Sequence, residues 1–237
     1  MKWPFQPKPD FHFKAIAGAP NVSPLTKIER AADVKPLWLQ QQRDYQAKDK
    51  FANCPGMVDW MKAGYIIPAW TDIKIKANRA GTIVKMQDPY PHPPSPMNNV
   101  LIKGIPAISD SVKLEVTKLS SPWGLYAKDG YSAHVLPALY HSPFFADIFV
   151  YPGTVDYDKF NTVNFIFTAI RECEFEIPAG TPLLQVIPFK RVEIAAVTGI
   201  ASDYEKNLHK YSFPTRVRAA YRKFFRQQKV YTLEDQQ

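Results

Sequence analysis

The chain has 237 residues, 46% of them hydrophobic, and a formal net charge of +8. This length fits one sizeable domain with appendages, and the hydrophobic content excludes global disorder. The 22 prolines against 10 glycines predict short strands and long, stiff connections, because proline ends helices and is confined to strand edges and loops. The positive charge is compatible with binding to nucleic acid, with binding to an acidic protein, or with a basic surface that has no partner, and it does not distinguish between them.

The two cysteines, Cys54 and Cys173, lie far apart and form no Cys-x-x-Cys motif. They indicate neither a disulfide scaffold nor a thiolate zinc site, and they favour a reducing compartment. The first residues lack the apolar stretch of a signal peptide, and no segment approaches the roughly 20 apolar residues of a membrane span. We therefore expect a soluble, intracellular protein with no membrane partner.

Residues 1–35 are predicted to form an extended arm. Prolines at positions 4, 7, 9, 20 and 24 favour extended backbone. The aromatic side chains between them gain free energy when they are buried against the domain or a neighbouring subunit. A free tail is the alternative, although disordered tails are usually poor in aromatic residues. The residues predicted to bind a partner are Trp3, Phe5, Phe11 and Phe13.

Residues 36–200 are predicted to form a β-rich core domain. The segment 54–64 predicts a short helix that ends at Gly64, and residues 25–32 predict another at the border with the arm. Strands are predicted at residues 65–70, 72–76, 80–86 and 113–118, and a hairpin at residues 125–136 around the turn Lys128-Asp129-Gly130.

Residues 151–191 carry the clearest strand and turn signals of the core. Residues 162–170 are rich in β-branched and aromatic residues, as a buried strand is. Residues 173–177 alternate apolar and charged residues, which predicts a strand with one buried and one exposed face. After a Pro-Ala-Gly break, residues 181–189 predict another apolar strand, with a buried amide at Gln185.

Residues 201–237 are predicted to form a basic, helical C-terminal extension. Pro214 suits the first turn of a helix, and apolar residues from 217 to 225 recur at helical spacing. The arginines on another face are candidates for binding phosphates or an acidic protein, with a solvated face as the alternative. Nucleic acid is compatible with this face, but no base-reading motif supports it. The arginines are Arg218, Arg222 and Arg226.

From Gly153 to Gln185 the motifs follow a fixed order: a glycine, two residues, Asp156, a short loop, a strand, a charged hairpin and the pattern Ile-x-x-Gly-x-x-Leu-x-Gln. This order resembles the last third of the trimeric dUTPase and dCTP deaminase fold. Residues 123–134 are similar to the preceding hairpin of that fold. The resemblance implies a β-clip or sandwich-like core.

A second set of motifs is spread over residues 36–191. They are Cys54-Pro-x-x-x-Asp59, Gly64-Tyr-Ile-Ile67, Asp72, Pro122-Trp123-Gly, Gly130-Tyr-Ser132, Val155-Asp-x-Asp158 and Ile187-Pro-Phe-Lys-Arg191. This layout resembles, more closely, an uncharacterised family of phage-encoded proteins. The resemblance implies the cytoplasm of a host cell, with the virion as a further location.

The dUTPase resemblance implies a pyrimidine-nucleotide site in which Asp156 activates water or contacts the sugar, Asp158 lies beside it and Phe160 stacks on the base, with Mg²⁺ as cofactor. The sequence departs from that pattern, because Lys159 stands where the aromatic residue belongs and Phe160 comes one position later. Residues 137–143 lack the Ser-Gly phosphate motif, and the Gly-rich C-terminal arm is missing. The resemblance in fold is therefore stronger than the resemblance in activity.

Asp156 and Asp158 also have an interpretation that needs no relative. They flank Tyr157, so in an extended loop both carboxylates point the same way, toward a cation or a sugar hydroxyl. An Asx turn, in which aspartate caps backbone N–H groups between two strands, is the alternative.

His134 and His141 are candidate metal ligands, with a third ligand from Asp147, Asp156 or Glu172. Their spacing fits neither H-x-x-x-H on a helix nor H-x-H on one strand. We therefore expect each histidine to be satisfied by its protein surroundings, and we predict no metal and no other cofactor.

Two functions of different class follow. The first is a phage-type structural or interaction protein, in its most specific form a virion component, whose arm and C-terminal helix join the subunits of a homo-oligomer or bind other phage proteins. This function accounts for the arm, the helix and the missing catalytic parts together. The alternative is a dUTPase-like nucleotide-binding protein or nucleotide hydrolase with a degenerate active site at Asp156, Asp158 and Phe160.

Overall fold

The computed structural model describes residues 9–15, 26–36, 38–39, 54–87, 92–97, 115–212, 226–227 and 229–233. Within these residues the strands are β1 (Phe11–Ala15), β2 (Glu29–Arg30), β3 (Tyr65–Pro68), β4 (Ile73–Asn78), β5 (Gly81–Met86), β6 (Ser95–Pro96), β7 (Thr117–Ala127), β8 (Tyr131–Pro137), β9 (Ile148–Val150), β10 (Gly153–Val155), β11 (Thr162–Ala169), β12 (Cys173–Ile177) and β13 (Pro182–Lys190). The helices are α1 (Pro55–Lys62), a 3-10 helix (Pro143–Ala146) and α2 (Asp203–Ser212). The predicted mainly β class, with a helix in the C-terminal region, is confirmed.

The described strands form three antiparallel sheets. The first has the order β1-β7-β11-β9, with β6 also paired to β7, the second β10-β8-β13-β3-β2, and the third β12-β4-β5. All three contribute side chains to one hydrophobic cluster, so the core lies where their inner faces meet. Its fully buried members include Leu119, Phe165 and Phe167 from the first sheet, Ile67, Leu184 and Val186 from the second, and Ile73, Ile75 and Ile177 from the third.

The third sheet follows the alternation that the sequence predicts for residues 173–177. Its outer face carries cross-strand ion pairs, Lys74 with Glu176 at 3.3 Å and Lys76 with Glu174 at 2.6 Å. Exposed pairs of this kind contribute about 0–1 kcal/mol. The burial of the apolar inner face therefore stabilises the sheet, and the charged outer face is exposed to solvent.

The turn at Lys128-Asp129-Gly130 is formed, with Gly130 at φ +83° and the Tyr131 amide donating to the Lys128 carbonyl at 3.2 Å. It does not close a hairpin. Both edges of β7 are taken by β1 and β11, and both edges of β8 by β10 and β13. The predicted hairpin is wrong, because this turn carries the chain from the first sheet to the second.

The predicted helix at residues 25–32 is also wrong. Glu29 and Arg30 form β2, which pairs with Ile66 and Tyr65 at the edge of the second sheet. An isolated helix of this length is marginal in water. The open edge of β3 instead offers backbone partners that such a helix would lack.

Helix α1 confirms the prediction for residues 54–64 and is fixed to β13 by Gln185. The buried side-chain amide of Gln185 donates to the carbonyl oxygens of Trp60 and Ala63, both at 2.7 Å. These carbonyls lie at the end of the helix, where backbone acceptors lack helical partners. The chain then turns at Gly64, with φ +70°, so close to β13 that a Cβ there would stand 2.0 Å from the carbonyl oxygen of Val186.

Helix α2 begins inside the predicted C-terminal extension with a capping box. The Ser202 hydroxyl accepts from the Glu205 amide at 3.3 Å, and the Glu205 carboxylate accepts from the Ser202 amide at 2.7 Å. None of the described helices has the length and apolar character needed to cross a membrane.

We predict that Gly64→Ala lowers the free energy of unfolding by at least about 2 kcal/mol. A side chain at positive φ costs roughly 1–2 kcal/mol, and the clash with the β13 backbone adds to it. The matched control Gly56→Ala lies in α1 with nothing within 4 Å of the added carbon, so we expect it to stabilise by up to about 1 kcal/mol. Urea denaturation measures the free energy of unfolding of both variants, and equal values would contradict the close packing of the end of α1 against β13.

Candidate functional site

The predicted pair Asp156 and Asp158 lies on the loop between β10 and β11. The Asp156 carbonyl accepts from the amides of Lys159 and Phe160, both at 2.9 Å, which makes the loop a tight turn. Tyr157, between the two aspartates, is buried in the core. The loop is thereby anchored, and both carboxylates face the C-terminal end of β13.

Arg191 follows β13 directly and contacts both carboxylates. Its guanidinium forms a two-pronged ion pair with Asp158, lies 3.2 Å from Asp156 and donates to the Ser132 hydroxyl at 2.9 Å. Ser132 is buried and donates in turn to Asp156 at 2.5 Å. The amide of Gly130 donates to Asp158 at 3.0 Å, and its carbonyl accepts from the Arg191 amide at 2.8 Å. We call these five residues the Arg191 cluster.

Asp158 is the enclosed carboxylate of the cluster, with 1% of its side chain exposed against 61% for Asp156. The Arg191 guanidinium and the Gly130 amide hold the pKa of Asp158 at about 2. The same ion pair raises the pKa of Arg191. Asp158 is therefore ionised at neutral pH and accepts three hydrogen bonds from the protein, so it holds three segments together and is not poised to exchange a proton.

Asp156 and Phe160 are the exposed residues of this loop. The Asp156 carboxylate is bound on one side by Ser132 and Arg191 and is open to water on the other. The Phe160 side chain is 53% exposed. The structure thus brings Asp156 and Asp158 together, but it divides the predicted trio into one enclosed carboxylate and two exposed side chains.

The two candidate histidines lie in different surroundings. His134 makes a 2.9 Å hydrogen bond with the Thr154 hydroxyl and stacks on Phe189, with ring centroids 4.5 Å apart. His141 is largely buried, which lowers its pKa to about 4, while Asp147 is paired with Arg171. Among the described residues, no three potential metal ligands come together.

The described aromatic residues of the N-terminal arm are part of the β domain. Strand β1 pairs with β7, and Phe11 and Phe13 pack against the core. Phe11 meets Tyr131 edge to face at 5.7 Å, and Phe13 meets Tyr65 in the same way at 5.0 Å. These two therefore contact their own domain. The other two predicted partner-binding aromatics, Trp3 and Phe5, lie outside the described residues.

The described end of the chain returns to the domain. Arg226 makes a two-pronged ion pair with Asp59 of α1, and Lys229 donates to the same carboxylate at 3.1 Å. Arg226 and Lys229 together lower the pKa of Asp59. Arg226, predicted to bind a partner, thus has an acidic side chain of its own chain as neighbour. Arg218 and Arg222 lie outside the described residues.

A segment that the sequence analysis missed lies directly after Arg191. Residues 192–201, which we call the apolar arm, form neither helix nor strand and are exposed throughout. Within the described chain, no backbone hydrogen bond joins them to another segment. Four large aliphatic side chains stand in water: Val192 is 63% exposed, Ile194 82%, Val197 97% and Ile200 97%. The signal was present in the β-branched composition of the segment, which is that of a strand.

Comparison with known proteins gives a weak structural likeness. No family model and no curated protein matches the chain. Among solved structures, a single-substitution variant of the dUTPase of Staphylococcus bacteriophage 80alpha is similar, with a TM-score of 0.36 and 9% identity over 81% of this chain and 98% of that one. At this level the likeness carries no conclusion about activity.

We predict that the Arg191 cluster makes the free energy of unfolding fall at acidic pH. Because the pKa of Asp158 is about 2 in the folded chain and about 3.9 in an unfolded one, its contribution is present above about pH 4 and is lost as the pH falls toward 2. Asp158→Asn should therefore be less stable than wild type at pH 7 and lose less stability between pH 4 and pH 2. Urea midpoints across this range measure the difference.

The matched control is Asp129→Asn, because Asp129 is exposed and pairs only with the exposed Lys159 among the described residues. Its profile should follow that of wild type. If the profile of Asp158→Asn also runs parallel to that of wild type, the contacts of Asp158 with Arg191 and Gly130 do not contribute to stability in solution.

Proposed function

We propose that this chain is a structural, self-associating interaction protein whose subunits are joined through the apolar arm. The observation that carries the proposal is the exposure of Val192, Ile194, Val197 and Ile200 in one short segment. Single exposed aliphatic residues are normal on protein surfaces, whereas contiguous apolar patches mark interaction sites. Burying a valine or isoleucine side chain gains about 1.5–3 kcal/mol, so a partner that covers all four gains considerable free energy.

The apolar arm lies between the Arg191 cluster, which fixes its start to the β domain, and a helix, which suits a joint. At its start, the Arg191 cluster ties the chain to two turns of the β domain. At its end, the capping box of Ser202 and Glu205 begins α2. The arm is thus presented from a defined point, and its backbone groups, which bond to no other segment of the described chain, can add to the edge of a sheet.

The motif resemblance of residues 36–191 to phage-encoded proteins supports the more specific form of this proposal. In that form the assembly is a phage particle, the protein is made in the cytoplasm of the host, and other phage proteins join it. The β domain, which includes β1 and β2 of residues 1–35, serves as scaffold, and residues 201–237 are its appendage.

The nucleotide-binding alternative rests on Asp156 and Phe160, which are exposed on one loop. It would take a pyrimidine nucleotide with Mg²⁺ at that loop. Asp158, the third residue of that hypothesis, is already enclosed and bound by Arg191 and Gly130. The apolar arm has no role in a nucleotide site, whereas it is central to a structural one. We therefore favour the structural function.

We predict that wild type forms oligomers and that Val197→Asp with Ile200→Asp weakens association by at least about a hundredfold, because each lost burial is worth about 1.5–3 kcal/mol. Sedimentation velocity over a range of concentrations measures the change. At concentrations where both proteins are monomeric the thermal midpoint should stay unchanged, because both side chains lie outside the core.

The matched control is Ile83→Asp, which puts the same charge at an exposed isoleucine of β5. It should leave the oligomer intact. A wild type that stays monomeric at every concentration, or an arm variant that associates as wild type does, would overturn the proposed function.

A further inference from the structure

The last described segment of the chain, residues 226–227 and 229–233, forms a tail that sits on the β domain. Its charged half is held at α1, where Arg226 and Lys229 share the carboxylate of Asp59. Only 13% of the Asp59 side chain is exposed. Two cations on one largely enclosed carboxylate make this a built contact, unlike a loose surface pair.

The second half of the tail is held by aromatic and backbone contacts. Tyr231 meets Tyr65 edge to face at 6.1 Å, and the Tyr65 hydroxyl donates to the Thr232 carbonyl at 2.7 Å. Arg30 donates to the Tyr231 carbonyl at 3.5 Å, and Leu233 packs against the hydrophobic core. We call Asp59, Tyr65 and Arg30 the seat of the tail.

The connection between the β domain and the tail is long. It leaves at Arg191, passes through the apolar arm and α2, and ends before Arg226. The ten residues of the arm can span about 33–36 Å, and the ten residues of α2 about 15 Å. A domain of the size of residues 9–191 has a radius of gyration of about 16 Å. The connection is therefore long enough to carry the tail to a neighbouring molecule.

We propose that the tail is exchanged between copies of this chain, so that the tail of one copy occupies the seat of another. This inference rests on the proposed function and names its partner: a second copy. The seat makes the same contacts with a tail from either copy, so the two arrangements differ mainly in the connection. When the tail binds the seat of its own domain, the side chains of the apolar arm stay exposed to solvent. When it crosses, the arms of two copies run between the domains and can bury each other.

This exchange also explains why the partner is the chain itself. The complementarity between seat and tail, in charge and in aromatic contact, is already present within one sequence. The exchanged pair adds only the burial of the arms, which offsets the entropy lost on association. A different protein could occupy the seat only if it carried a tail with the same charged and aromatic groups.

Carbodiimide cross-linking tests the exchange, because it couples a lysine amine to a carboxylate in direct contact, and Lys229 lies 3.1 Å from Asp59. Two variants are co-expressed: Lys229→Arg, which keeps the charge of the tail but cannot couple, and Asp59→Asn, which removes the carboxylate of the seat. Neither can form this link within itself. The link can therefore arise only between the tail of the second variant and the seat of the first.

We expect a covalent dimer from the co-expressed pair, with the Lys229–Asp59 peptide identified by mass spectrometry, and none from either variant expressed alone. Wild type in the same experiment should give the link and be oligomeric. If the two variants fold poorly together, an equal mixture of light and isotopically heavy wild type replaces them, and mixed light–heavy peptides are expected.

The outcomes separate the two proposals. An oligomeric wild type that forms the link, with no link in the co-expressed pair and no mixed peptides, shows that each tail stays on its own domain. That overturns the exchange and leaves the proposed function standing. An oligomeric wild type without the link also overturns the exchange, because the tail then leaves its seat empty. A monomeric wild type overturns both.

Discussion

The point on which this structure depends is the contact between the Arg191 guanidinium and the carboxylate of Asp158. Strand β13 is the central strand of the second sheet, and Arg191 stands where that strand ends. The ion pair closes β13 onto the loop after β10 and onto the turn at Gly130. All the described strands of the three sheets precede Arg191, and residues 192–201, which follow it, are exposed. The cluster therefore fixes both the end of the domain and the direction in which the chain leaves it.

The same contact decides between the chemical interpretations of the loop. A carboxylate that is to act as a base needs a free lone pair and a pKa near the working pH. Asp158 does not fit this role, because three hydrogen bonds from Arg191 and Gly130 enclose its carboxylate and hold its pKa at about 2. What the loop supplies is anchorage. The free energy available for a further partner lies instead in the apolar side chains of residues 192–201, which the domain does not cover.

The sequence predicts local features well where one residue type has one physical role. The alternation of residues 173–177, the buried amide of Gln185 and the helix that ends at Gly64 are all confirmed. Strand pairing could not be predicted, since a period of two shows which face is buried but not which edge is free. The turn signal at Gly130 therefore predicts a hairpin whether or not the two flanking strands pair with each other. Residues 192–200 fall within the predicted core domain, and their composition does not show whether another segment covers them.

The most direct test of the account is amide hydrogen exchange of residues 192–201 as a function of protein concentration. Amides of β13 such as that of Val186 serve as the internal reference, because they are hydrogen-bonded within one copy. We expect the amides of the arm to exchange rapidly in dilute solution and to become protected as subunits associate, while the Val186 amide stays protected throughout. Rapid exchange of the arm in a sample that is fully oligomeric would contradict the claim that the arm is the joint.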